Sequence, residues 1–252
     1  MSPVEQPRSR HRAHIQFIDL TVIQLRNWRW SWIATTVTGM IAPLITVIGF
    51  GSLAERGNAA GQLLVGAIVL AMCFENQNKM ASHFSMQRET GALGYFATLP
   101  VSPAALVAAT SAAFFLLSLP ALLLTTFSGA AVLDISLRPQ LLLIVVVPAA
   151  IIPMGCVGAF IGTYAKNYQQ GHAISTALTM STVMLGGVLV PSSNLPKALS
   201  VLRWINPANY AASALRQVLL GPVTGRLAVD LAVLTVLGAV LFFLAERRLR
   251  LV

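Results

Sequence analysis

The chain has 252 residues, of which 56% are hydrophobic and 10% charged, and its mean hydropathy is +0.74. A soluble domain carries roughly 25% charged residues, so this composition excludes a water-facing globule and points to a bilayer. The net charge of +9 sits at both ends and in short connections. That placement suits anionic lipid headgroups and the positive-inside bias, not nucleic acid.

Residues 1–13 are polar and basic and read as a cytoplasmic tail, with no apolar core placed for a cleaved leader. Residues 14–30 read as an amphipathic helix. Ile15, Ile18, Val22 and Leu25 recur at helical spacing, and Trp28, Trp30 and Trp32 flank Arg29. Aromatics beside arginine favour the headgroup region. The helix either lies on the inner leaflet or extends the first span into the cytoplasm.

Residues 31–252 read as the transmembrane body. Ser31–Phe50 is uncharged and long enough to cross, since a span needs ~20 residues at ~1.5 Å each. Pro43 falls inside it. Glu55 and Arg56 mark a turn. A second span begins near Gly61, and its purely apolar part ends at Phe74. Glu75–Lys79 follows at once, so one helix is expected to continue past the membrane. Glu75 and Lys79 stand i,i+4 with the acid first, the favourable order. Glu75 is either an intramembrane functional group or half of an interfacial pair.

Gln87–Pro103 interrupts the apolar pattern with Arg88, Glu89, two glycines (Gly91, Gly94) and two prolines (Pro100, Pro103). It is too short for a domain and reads as a surface on which another protein pushes. Ala104–Leu124, Leu141–Tyr164 and Ile174–Pro191 are the third to fifth spans. Gly158-x-x-x-Gly162 in the fourth permits close helix approach. Between the fifth and last spans, Ala198–Trp204 and Tyr210–Leu220 are expected to be short re-entrant or surface helices on the outer side. Asn194 and Asn206 are placed to cap them. Leu227–Ala245 is the last span.

Six spans put both termini on one side. Arg8, Arg10, Arg12, Arg26, Arg29, Lys79, Arg88, Lys166, Arg247, Arg248 and Arg250 would lie inside, against Arg56, Arg138, Lys197, Arg203, Arg216 and Arg226 outside. The bias favours a multi-pass protein of the plasma or inner membrane with both termini cytoplasmic.

Two stretches carry a family resemblance. Arg88-Glu89-Thr90-Gly91-Ala92-Leu93, with Leu99-Pro100-Val101-Ser102, resembles an R-E-x-G-T-L-E…T-P-V-S segment after the second span. Asn194-Leu195-Pro196, with Asn206-Pro207-Ala208-Asn209-Tyr210 and Leu215-Arg216, resembles an L-P…N-P-x-x-Y…L-R segment before the last span. Together, in a six-span frame, they resemble the permease subunit of ABC-2 type exporters. That group includes daunorubicin-resistance-like drug permeases, polysaccharide exporters and the sterol and multidrug transporters of the G subfamily. Gly94 departs from the pattern, which often has an acid there.

The resemblance implies an all-α membrane protein with six transmembrane helices, an interfacial helix, a cytoplasmic coupling helix and short outer helices. It implies two permeases, identical or paralogous, each seated on an ATP-binding-cassette ATPase subunit. Arg88, Glu89, Thr90, Gly91, Leu93 and Tyr95 would couple to that ATPase. Arg88 and Glu89 would either pair across to it or pair with each other in solvent. Asn194, Pro196, Asn206, Pro207, Tyr210 and Arg216 would build an outer gate.

No G-x-x-x-x-G-K-[ST] run occurs in the sequence. ATP and Mg are therefore expected on the partner subunit, with no cofactor, metal or catalytic residue in this chain. Phe114, Phe115, Met180 and Met184 are either path-lining or packing residues for an apolar or amphipathic cargo, drug or lipid-like. The rival readings are an ion-coupled secondary transporter, which would want a buried acid at mid-membrane, and a permease of the haem- or polysaccharide-exporter type.

Overall fold

A computed structural model describes residues 13–51, 58–99, 101–185 and 206–250. Every regular element among them is helical. The chain begins with α1 (Ala13–Trp28) and α2 (Trp32–Gly51). Helix α3 (Asn58–Met72) passes through a π-helical turn, Cys73–Asn78, straight into α4 (Lys79–Glu89). The short α5 (Ala92–Thr98) follows, then α6 (Pro103–Val132), α7 (Leu143–Tyr164) and α8 (Tyr168–Leu185). Helices α9 (Pro207–Leu220) and α10 (Arg226–Leu249) close the chain.

Five of these runs are long and apolar enough to cross a membrane: Trp32–Gly51, Ala59–Glu89, Pro103–Val132, Leu143–Tyr164 and Arg226–Leu249. The expected span Ile174–Pro191 runs past the last described residue of α8. The tail, the turn at Glu55 and Arg56, the helix expected at Ala198–Trp204, and Asn194 and Pro196 also lie outside the described residues.

The body is built around Ala59–Glu89, most of which is buried. Small residues let its neighbours close in. A Cβ at Gly158 of α7 would strike the carbonyl of Gln77, and one at Gly162 would come within 2.6 Å of the carbonyl of Ala81. On α8, Gly171 leaves room for the Ser85 side chain, and on α6 Gly129 receives Leu64. The G-x-x-x-G of the fourth span is therefore the crossing of α7 over the central helix. Leu64, Ile68, Met72, Ile151, Met154, Leu215 and Leu234 fill the main core at one end. Met80, Phe84, Phe114 and Ala159 fill a second core at the other.

Helices α2 and α10 lie on the outside. Ile33, Val37, Ile41, Ile45 and Ile48 of α2, and Val229, Val236, Val240 and Phe243 of α10, are exposed. Apolar ridges of this kind suit hydrocarbon as the surrounding solvent.

Two boundaries differ from expectation. The third span runs on to Val132, because Ser128 bonds back to the carbonyl of Leu124 and Gly129 is packed, so neither ends the helix. Helix α8 starts at Tyr168, six residues before the apolar stretch that marked it, through a polar first turn. On α1 the apolar stripe faces outward: Ile15, Ile18 and Val22 are exposed, whereas Leu20 and Gln24 are buried. Leu20 meets Ala105 and Ala109 of α6, and Gln24 donates to the Thr110 hydroxyl at 3.4 Å. The apolar face that periodicity picked out is thus turned away from the body, where a bilayer would receive it.

Candidate functional site

The chain breaks sharply after Glu89. Gly91 adopts φ +74°, a left-handed conformation open to glycine at little cost, and turns the chain from α4 into α5. No atom lies near enough to crowd a side chain at Gly91 or Gly94. Gly91 therefore serves the turn, not the close approach of another backbone within this chain. Tyr95 is exposed on α5, and Leu93 is buried beneath it in the second core.

Arg88 and Glu89 belong to the last turn of α4, not to the short helix. Arg88 Nη1 donates to the carbonyls of Thr163 (2.8 Å) and Ala165 (3.3 Å) at the end of α7. Glu89 Oε2 accepts from the backbone N–H of Tyr168 (2.8 Å), the first residue of α8. The cation thus meets the negative end of one helix and the anion the positive end of the next. The two side chains form no ion pair with each other among the described residues. The expected pairing with each other gives way to an internal clamp. Thr90, between clamp and turn, bonds back to the carbonyl of Met86. The turn that the clamp grips is itself tied, by Lys166 N–H to Gln170 Oε1 and Gln170 N–H to Asn167 Oδ1, both 2.8 Å.

The clamp lies at one end of a polar seam. Glu75, Asn76, Gln77 and Asn78, in the π-helical turn, are all buried. Gln77 Nε2 donates to Thr179 Oγ1 at 3.0 Å and to the Ser175 carbonyl at 3.3 Å. Asn78 Oδ1 accepts from Ser175 Oγ (2.6 Å) and Thr179 Oγ1 (3.1 Å). Glu75 Oε2 pairs with Lys79. The pair is interior to the protein, and Glu75 has no exposed surface. A hydropathy scan ends the span at Phe74 because it cannot see that α8 supplies the partners for these amides. π-helical turns inside α-helices are frequent at functional sites. A cavity of about 440 Å³ opens beside the seam, between α2, α4 and the start of α8.

A family model described as ABC-2 type transporter matches residues 15–220. The chain belongs to that family. No curated protein matches it. The match ends at the last residue of α9, so clamp, seam and the Gly91 turn all lie within the part of this ABC-2 permease that it covers.

Of the permease's expected outer-gate residues, Asn206 caps α9. Its Oδ1 accepts from Ala208 N–H at 3.0 Å, and its Nδ2 donates to the Thr182 carbonyl of α8 at 2.7 Å. Pro207 takes the first helical position, where its missing N–H costs nothing. Tyr210 packs into the main core, and Arg216 is exposed on the opposite face. The N-P-x-x-Y stretch is therefore a helix start tied to α8.

Asp230 fastens α9 to α10. Its carboxylate accepts from Ser213 Oγ (2.6 Å) and Gln217 Nε2 (3.2 Å), with Arg226 3.9 Å away. The four candidate path residues separate into two kinds. Phe114 is buried between Trp28 and His83, and Phe115 packs on the main core. Met180 and Met184 are exposed on α8.

Proposed function

We propose that this chain is the membrane subunit of an ATP-driven exporter for an apolar or amphipathic cargo, worked from the cytosolic side by a separate ATP-binding subunit. The observation that carries this reading is the clamp at Arg88 and Glu89. It makes α5 a protruding lever whose base is bonded to α7 and to α8. A push on Tyr95 and the rest of the exposed face of α5 would reach α8 through the Tyr168 amide. It would reach the central helix directly, because α4 is its end.

In this reading α8 is the fifth of six crossings. It starts at the clamp, and near its far end Thr182 meets Asn206 of α9. Helix α9, with the segment that holds Asn194 and Pro196, serves as an outer gate. The last turn of α10 lies near the Gly91 turn: Leu249 and Arg250 line a hollow with Leu93 and Phe96, and Arg248 stacks over Tyr164. Leu20 of α1 packs at the same end. This supports both termini on the cytosolic face of the cell membrane. ATP and Mg would be held by the partner, and a second permease copy, identical or paralogous, would complete the pore. Met180 and Met184 on α8 are available to line it.

Glu89→Ala tests the reading. ATP-driven export should fall while the amount of inserted protein stays the same, because the exposed hydrogen bond to Tyr168 is worth only ~1 kcal/mol of stability. Unchanged export would count against the lever.

One observation favours a second reading, an ion-coupled secondary transporter, which needs a buried membrane acid. Glu75 is one, though it is paired with Lys79. Export that stops with an uncoupler and persists without ATP would support that reading.

A further inference from the structure

The cavity beside the seam has a wall of uneven character. Trp28, Phe74, Ala42 and Met86 make it largely apolar. Most of its polar groups are already satisfied. His83 Nε2 meets Gln87 (2.9 Å), His172 Nδ1 meets Ser82 (3.2 Å), Asn78 is held by α8, and Thr35 and Thr38 bond back along α2.

Three sets of atoms are not satisfied. Glu75 Oε1 is buried without a partner, lying where a Cβ of Gly39 would be. The indole N–H of Trp28 is buried without an acceptor. The Lys79 ammonium carries three N–H groups and spends one on Glu75 Oε2. Buried polar groups are ordinarily partnered, and orphans around one cavity of drug-sized volume mark what its occupant must supply.

Among the described residues, Glu75 and Lys79 are the only charged side chains on this wall, and they neutralise each other. The cavity therefore presents one acceptor and several donors with no net charge. A head with a lone cation or a lone anion would leave one side of the pair opposed. We infer that the cavity binds the head of an amphipathic cargo that carries an ammonium and an acidic oxygen together, a zwitterion, with its chain along the apolar wall. The ammonium lies on Glu75 Oε1, reached by a turn about the soft terminal torsion of that side chain. The acidic oxygen accepts from Lys79 and Trp28. This deepens the export reading and rests on it for calling the ligand a cargo.

The test is a binding measurement that needs neither ATP nor a partner. Trp30→Phe, Trp32→Phe and Trp204→Phe leave Trp28 as the only tryptophan of the full-length permease, reconstituted in lipid discs. Amphiphiles with the same brominated chain and an aminoethyl-phosphate, an ammonium or a phosphate-monoester head then quench its emission. The zwitterion should bind on the order of ten-fold more tightly than either singly charged head, the size of one charge-assisted hydrogen bond.

Glu75→Gln should shift the preference to the anion and Lys79→Met to the cation. The double variant, which leaves no unpaired charge to disturb folding, should lose head selectivity and keep chain binding. Equal quenching by all three heads, or a preference that the single variants leave unchanged, overturns the inference. Neither result bears on whether an ATP-binding subunit drives transport, which co-purification decides separately.

Discussion

At the scale of residues, Arg88 and Glu89 have opposite charges and opposite tasks. Each sits where a helix end presents the complementary partial charge, worth ~0.3–1 kcal/mol apiece beyond the hydrogen bonds themselves. Gly91 beside them is constrained by conformation alone. Gly91→Ala should cost ~1–2 kcal/mol, the left-handed penalty for a residue with a Cβ, and should lower thermal stability. Gly94→Ala, with neither positive φ nor a neighbour within 4 Å, should stay within ~0.5 kcal/mol. Thermal unfolding of the two variants in the same detergent checks this. Equal losses would mean that the turn is not held as described.

The motif letters pointed to this place from sequence, but not to what the side chains hold. Their partners, the Thr163 and Ala165 carbonyls and the Tyr168 amide, are backbone atoms some 75 to 79 residues away. Backbone partners leave no trace in residue type. The burial of Glu75 was hidden for a related reason, since nothing in its own neighbourhood announces that Ser175 and Thr179 will enclose the turn that carries it.

At the scale of elements, the fold rests on how closely α7 approaches the central helix. Gly158 faces a backbone carbonyl, which cannot swing aside as a side chain can. Gly158→Val should therefore cost at least the ~1–3 kcal/mol of an overpacked core and reduce the yield of folded protein. Gly155→Ala, whose Cβ would find its nearest neighbour at 3.8 Å, should be tolerated. Yield and melting temperature from one expression series decide it, and a Gly155→Ala loss as large as that of Gly158→Val would refute the assigned crossing.

The spans themselves were largely legible, because twenty uncharged residues leave few alternatives. Helix ends were less so. The third span was ended at Leu124, short of Ser128 and Gly129, where the composition of a loop hid a helix that continues to Val132. The apolar stripe of α1 was legible from its spacing, and it faces away from the body. Periodicity says that a helix has two faces but not which one meets protein when the surroundings are hydrocarbon.

At the scale of the whole molecule, membership of the ABC-2 type transporter family and the arrangement of helices support one division of labour. A hydrophobic body surrounds one buried central helix, and a short helix projects from the end of that helix on a glycine turn. The polar seam running from Glu75 to the clamp gives that end a continuous, hydrogen-bonded connection to α8. Mechanical work delivered at α5 would therefore arrive beside the cavity, where a cargo would sit.

The most direct measurement is a cross-link. Gly94→Cys, in a chain with Cys73→Ala and Cys156→Ala, places a single thiol on the exposed face of α5. With a bifunctional maleimide and amine-reactive cross-linker, this thiol should be joined to a lysine of the ATP-binding subunit when the two are co-expressed, and an impermeant thiol reagent should reach it only from the cytosolic side. Labelling from outside the cell, or a thiol that reacts with lipid-soluble reagents alone and never with that subunit, would contradict it.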